Sequence, residues 1–220
     1  MKVKRHYEKY WSSQVPTKNF FDYERNLELP SLFVDSKKIL DLGCGEGAVA
    51  SFLVKRMKLD VVGADISEKA LKVARKRGIK VVLIDVEKKL PFRNAEFDTV
   101  FWGDNIEHLF EPQDTLEEIS RVLKKGGTLI LSCPNMSYWR YRIYYFLKGC
   151  LPDTEWTGNP PWGWSHIRFF NINILRRFLS SQGFTINKIV GVNRRFPDKY
   201  ISKIFPNLFS MVLIIKAKKE

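Results

Sequence analysis

Four carboxylates recur along the first half of this chain, at Asp41, Asp65, Asp85 and Asp104. The first abuts a glycine-rich stretch, KILDLGCGEGAVA (38–50), whose Gly43, Gly45 and Ala48 satisfy the relaxed dinucleotide pattern. Glycines so spaced let backbone approach a ligand but do not say which one. An acid closing the second strand can accept both hydroxyls of a ribose, so Asp65 suits any adenosine-bearing ligand. Asp41 is more selective. A carboxylate against the turn would repel a pyrophosphate and would hold a cationic amino group. Asp85, after the third strand, suits the amino group of an adenine. Any one of these acids could be a helix N-cap or a surface group; four at successive strand ends argue for a site.

The proton-transfer candidates are few, because the only histidines are His6, His108 and His166. His108 follows the fourth strand in Asn105-Ile106-Glu107-His108-Leu109. His166 lies where an irregular segment rejoins the fold, in Ser165-His166-Ile167-Arg168. Both are expected to face one cleft, and His6 is expected at the surface.

The elements that must position these groups alternate in the βαβ manner from Lys37 onward. Strands are predicted at Lys38–Leu42, Leu59–Ala64, Lys80–Ile84, Phe97–Trp102 and Thr128–Ser132. Helices are predicted over Gly47–Lys58, from the Ser67 cap to Gly78, and over Pro112–Leu123, the last closed by Lys124-Lys125-Gly126-Gly127. The rhythm breaks in Met136–Ser165, which is aromatic and shows no periodicity. Ile172–Ser181 reads as a helix, and Thr185–Val192 and Phe209–Lys216 read as strands. With only a loop between them, those two strands are expected to finish the sheet as an antiparallel hairpin. Before the first strand, a short helix is expected around Asn19–Leu29. The fold class is therefore α/β: a doubly wound, Rossmann-like seven-stranded sheet, mostly parallel with an antiparallel last strand. One domain is expected over 1–220, with an N-terminal cap (1–36), a ligand-binding core (37–135), an aromatic lid insert (136–170) and a C-terminal helix and hairpin (171–220).

With 220 residues, 45% of them hydrophobic, the chain suits one well-buried domain. Its 37 Lys+Arg against 24 Asp+Glu give a formal charge of +13, a field that favours acidic partners such as RNA or an anionic membrane surface. A solvated Lys-rich surface explains it equally well. The cysteines, Cys44, Cys133 and Cys150, lack disulfide or zinc spacing and read as reduced thiols. The basic N-terminus has no apolar segment behind it, and no run approaches a membrane span. A cytoplasmic protein is expected, with peripheral membrane contact left open.

In order and spacing, ILDLGCGEG, VVGADIS, VVLIDVEKKLPF, FDTVFWGDNIEHLFEP, LKKGGTLILSCPN and HIRFFNINILRRFLSSQGF resemble the class I S-adenosylmethionine (SAM)-dependent methyltransferases. The likeness is to the small-molecule group that includes the ubiquinone-biosynthesis O-methyltransferases, and it spans roughly Lys37 to Lys218. The resemblance implies SAM as cofactor. Gly43 and Gly45 would admit its methionine moiety, and Asp41 would orient the amino group. Asp65 would take the ribose, with Ile66 against the adenine face. Asp85 would take the adenine amino group, Val86 a ring nitrogen through its backbone, and Gly103 would line the transfer pocket. Cys44 fills a slot where the family often has cysteine; it is expected to pack under the turn and not to act as a nucleophile.

Methyl transfer can require a base to take a proton from the acceptor, which makes His108 and His166 the catalytic candidates. Asp104-x-x-Glu107-His108 is similar to a Glu-x-x-Glu-His pattern that can hold a divalent ion, with His166 as a further ligand. The Asp in first place shortens the reach and argues against the metal. The Tyr138–Leu147 stretch, rich in aromatics with Arg140 and Arg142, is expected to form a lid over an acceptor pocket. The expected reaction is methyl transfer to an O or N atom of a small, aromatic or lipid-like acceptor. The alternatives are an RNA methyltransferase, an RNA- or membrane-binding module on the same scaffold, and an NAD-dependent oxidoreductase.

Overall fold

The computed structural model describes residues 2–13, 20, 23–154 and 165–220. Its centre is a seven-stranded sheet in the order β3-β2-β1-β4-β5-β7-β6. β1 (Lys38–Leu42), β2 (Asp60–Asp65), β3 (Lys80–Leu83), β4 (Phe97–Gly103) and β5 (Leu123–Pro134) pair in parallel. β7 (Val212–Lys219) runs antiparallel to both β5 and β6 (Phe184–Val192). The doubly wound sheet with its antiparallel last strand is as the sequence predicts.

The strands alternate their side chains between two cores, as a period of two requires. Leu40, Leu42, Val100, Trp102, Leu129 and Leu131 enter one core; Ile39, Phe101, Ile130 and Ile214 enter the other. Both faces are covered by helices, which is why the strand sequences read as nearly continuous apolar runs. α3 (Ala48–Met57) and α4 (Glu68–Lys76) form the crossovers on either side of β2, and α5 (Pro112–Val122) joins β4 to β5. Ser67 caps α4 by accepting from the Ala70 N–H, and Asn171 caps α7 (Ile172–Ser180) by accepting from that of Ile174.

Several boundaries differ from the sequence reading. α1 (Lys2–Ser13) precedes the expected N-terminal helix, which is itself only α2 (Glu24–Glu28) followed by a 3-10 turn at Leu29–Leu32; Asn19 lies outside the described residues. Lys124–Gly127 does not close α5. Leu123 already pairs with Phe97, and the basic turn bulges out before Thr128 pairs with Thr99, with Gly126 supplying a φ of +68°. The aromatic segment holds α6 (Trp139–Lys148), and its remainder at 155–164 lies outside the described residues. Phe209 is not in the last strand: its N–H bonds to the Phe205 carbonyl, closing α9 (Pro206–Phe209). The connection between β6 and β7 thus carries α8 (Asp198–Ile201) and α9. No helix among the described residues is long and apolar enough to cross a membrane.

Candidate functional site

Strand order reverses between β1 and β4, and ligands of doubly wound sheets bind at the carboxyl ends beside such a switch. Asp65, Asp85 and Asp104 meet there, with Asp41 just behind them. A cavity of about 580 Å³, within the range of small-molecule sites, is lined by Gly43, Asp65, Ile66, Asp85 and Val86 together with both cleft histidines. Asp41, Cys44, Gly45 and Gly103 lie around it without lining it.

The turn after β1 is held from the neighbouring strand. The Ala64 carbonyl accepts from the N–H groups of Gly43 and Cys44, at 2.8 and 3.0 Å. Asp65 accepts from the Gly45 N–H through one oxygen and from the Ser67 N–H through the other, each at 2.8 Å. Gly43 and Gly45 have φ of +75° and +52°, and each is closely covered. A Cβ on Gly43 would lie 2.6 Å from the Asn105 amide nitrogen, and one on Gly45 would lie 2.5 Å from the Trp11 indole. Cys44 packs under the turn against Gly63, and burial followed by the charges of Asp41 and Asp65 pushes its thiol well above the ordinary range. A thiol so placed is no nucleophile at neutral pH.

Asp41 is the unusual group. It is 2% exposed, and its Oδ2 has no hydrogen-bond partner among the described residues. Burial raises its pKa from 3.8 to about 7, with the Arg25 guanidinium pulling the other way. A buried carboxylate oxygen without a donor is costly unless a ligand supplies one. A ligand ammonium group fits that need, and a pyrophosphate does not. Asp65, also buried, is raised by desolvation against backbone hydrogen bonds from Ser67, Gly45 and Ile66. Asp85 is more open and accepts from the Glu87 N–H at 3.2 Å.

Arg25 belongs to the site although nothing in the sequence pattern marks it. It reaches from α2 into the cleft, pairs with Asp104, donates to Ser132 Oγ at 3.2 Å, and lies 5.7 Å over the Phe101 ring. Asp104 is thereby engaged, since it also accepts from Ser132 Oγ at 2.7 Å, and it sits in the left-handed region at φ +47°. α1 also contributes. His6, Tyr7, Tyr10 and Trp11 line the cavity, so the exposed His6 is a rim residue and not a remote surface one. The helix is tied to α4 by Glu8 Oε1, which accepts from the Glu68 N–H at 2.8 Å.

The two remaining histidines do meet. Their rings lie 4.7 Å apart at 64°, with Tyr7 edge-on to His108 at 6.3 Å. The backbone brings them together, because the Glu107 carbonyl accepts from the N–H groups of Ile167 and Arg168 at 2.9 and 3.0 Å. His108 Nδ1 is 3.1 Å from the Ser165 carbonyl oxygen. A carbonyl only accepts, so that contact requires the proton on Nδ1 and gives Nε2 the lone pair in the neutral ring. His166 Nδ1 is 2.6 Å from Thr154 Oγ1, and its Nε2 is 3.9 Å from the buried Glu107 carboxylate. One ligand atom from each of Glu107, His108 and His166 falls within 4.8 Å of the others. Two imidazoles and a carboxylate suit a first-row divalent ion. Asp104, bound to Arg25 and Ser132, is outside this group.

This sheet order, with a site at the β1/β4 switch, is the fold of the SAM-dependent methyltransferases. A structure from Thermotoga maritima described as a SAM-dependent methyltransferase, possible histamine N-methyltransferase, superposes with a TM-score of 0.69 at 21% identity, covering 100% of this chain and 97% of that one. The family model for methionine biosynthesis protein MetW matches residues 24–216, and the chain belongs to that family. An uncharacterized methyltransferase of Schizosaccharomyces pombe is 32% identical over 208 residues, 85% of this chain and 75% of that protein. A ubiquinone biosynthesis O-methyltransferase of Azoarcus sp. is 34% identical over 111 residues, 48% of this chain and 47% of its own length. The chain spans about half the length of the first curated relatives it matches.

Proposed function

We propose that this protein is a SAM-dependent methyltransferase acting on an O or N atom of a small, aromatic or lipid-like acceptor. The observation that carries the reading is Asp41: a buried carboxylate oxygen without a donor, behind a glycine turn, in the fold its relatives use for SAM. When bound, SAM supplies an electrophilic methyl group whose S–C bond breaks as the bond to the acceptor forms. The chain's residues do the rest. Asp41, behind the turn, orients the amino group directly or through water, and Arg25, which lines the cavity, is the partner for the carboxylate of the same moiety. Asp65 takes the ribose hydroxyls with the lone pairs not given to Gly45 and Ser67. Asp85 and the Val86 backbone take the adenine edge, with Ile66 on its face. Gly43 and Gly45 let the backbone turn approach the methionine moiety, and Gly103 lies by the transfer end.

His108 is the general base in this reading. It lines the cavity, and it removes the proton that the acceptor loses on methylation. His166 and Glu107 orient it and balance the charge that develops. The cluster's geometry also supports a metal-assisted form: Glu107, His108 and His166 would hold a divalent ion, which would supply Lewis-acid activation of an acceptor hydroxyl. The site gives a nicotinamide dinucleotide less, since Asp41 would face its pyrophosphate.

The reading is tested by incubating the protein with methyl-labelled SAM and a panel of phenols, catechols, amines and isoprenoid quinols. Label transferred to a member of the panel, and lost in His108→Ala, is the expected outcome. Oxidation of NADH with no label transfer would replace the reading.

A further inference from the structure

The richest exposed apolar surface lies beside the cleft, not in it. Of the large hydrophobic side chains that the described residues expose, ten of nineteen fall in two short segments, 143–147 and 196–208. In α6, every residue from Arg142 to Lys148 is exposed, including the run Ile-Tyr-Tyr-Phe-Leu, so the last two turns present apolar side chains around much of the helix. Phe146 is 86% and Leu147 69% exposed. In the second segment, Phe196 and Ile204 are 77% and 73% exposed, with Tyr200 and Phe205 beside them in sequence.

The two segments are neighbours, tied together where each begins. Asp198, at the start of α8, accepts from the Tyr138 hydroxyl at 2.6 Å, and from Trp139 Nε1 and Arg140 Nε at 3.2 Å each. That hub fixes the base of α6 against α8. The charge of the face has one sign. Residues 139–148 contain three cations and no acid; residues 194–208 contain four cations and one acid, Asp198, which is 1% exposed.

We propose that this face seats the protein on an anionic lipid bilayer, with α6 entering the headgroup region. A helix that is apolar around much of its circumference gains from burial on several sides, which a bilayer interface gives and a protein groove gives on one face only. Tyrosine and tryptophan suit the interfacial layer, and the flanking Arg and Lys suit acidic headgroups. A second copy of the chain would bring these cations against their own counterparts. An RNA would stack on the tyrosines but leave Ile143, Leu147 and Ile204 without a partner. Asn193 and Arg194 line the cavity and run directly into the second segment, so docking places one rim of the cleft at the lipid surface. The docking stands independently of the reaction that the cleft performs.

The test is co-sedimentation of the full chain with vesicles of phosphatidylcholine alone and with added phosphatidylglycerol. Binding is expected only with the anionic lipid, weakening as salt rises. Phe146→Ser with Leu147→Ser should weaken it about tenfold or more while leaving S-adenosylhomocysteine binding unchanged. Lys148→Glu with Lys199→Glu, which replaces no apolar residue, should do the same. Failure to sediment with anionic vesicles overturns the proposal. So does binding that survives the loss of Phe146 and Leu147, which would mark general adhesion of a basic protein. Capture of an acidic protein with no vesicle binding would assign the face to that partner instead.

Discussion

The ring of His108 stands 4.7 Å from that of His166, though the two belong to separate segments of the chain. The Glu107 carbonyl joins those segments, and the Glu107 carboxylate lies beneath the pair. A base and its orienting partner in this arrangement divide one task. His108→Asn is expected to lower kcat about 10²- to 10⁴-fold with S-adenosylhomocysteine affinity unchanged. His166→Ala, which leaves the base itself in place, is expected to cost less. Steady-state kinetics with any acceptor found, beside calorimetry, separates the two effects; equal losses would favour a shared metal.

Asp41 sets a pH dependence whose sign is fixed. Its pKa is about 7 in the folded protein without ligand, and a bound ammonium requires the charged form. Cofactor affinity is therefore expected to fall about tenfold per unit as pH drops below 7, and to level off above it. Asp41→Asn should bind weakly at all pH values and lose the slope.

The same group makes the ligand-free fold less stable as pH rises. The folded state keeps the Asp41 proton up to about 7, whereas the unfolded chain releases it near 3.8. Between those values the folded state binds more protons, so its stability falls with rising pH, by at most roughly 4 kcal/mol. Asp41→Asn should raise the Tm of the ligand-free protein at pH 8 and change it little at pH 4.

Arg25 is coupled to this titration, because it lowers the Asp41 pKa across the cleft. Arg25→Leu should move the midpoint of the affinity profile upward from pH 7 and weaken binding at pH 8. A midpoint left in place would remove Arg25 from the site.

Gly45 carries both a backbone and a steric demand. Gly45→Ala places a methyl group 2.5 Å from the Trp11 indole at a φ of +52°. A loss of about 1–3 kcal/mol in chemical denaturation is expected. Adding Trp11→Ala should restore the steric part and leave the backbone part.

The candidate site was partly legible in the sequence because each acid falls at or just past the carboxyl end of a strand. Apolar runs ending in Asp or Gly mark both the strand and its ligand-facing end, so Asp41, Asp65 and Asp85 could be placed without coordinates. Arg25 and α1 could not be placed this way. They reach the cleft across sequence that has no strand rhythm, and Tyr7, Tyr10 and Trp11 at helical spacing carried the sole signal for α1. α6 escaped because a helix with apolar residues around much of its circumference has no stripe to detect. Lys124–Gly127 misled in the opposite direction, since a basic, glycine-rich helix end and a bulged strand entry share one composition.

The central claim is that the turn at Gly43–Gly47 seats a sulfonium amino acid joined to adenosine. Isothermal titration of the full chain at pH 8 with S-adenosylhomocysteine, beside NADH, tests it most directly. Binding to the former in the micromolar range, lost in Asp41→Asn and Asp65→Ala, is the predicted result. No heat with S-adenosylhomocysteine or SAM, or saturable binding of NADH alone, would contradict it.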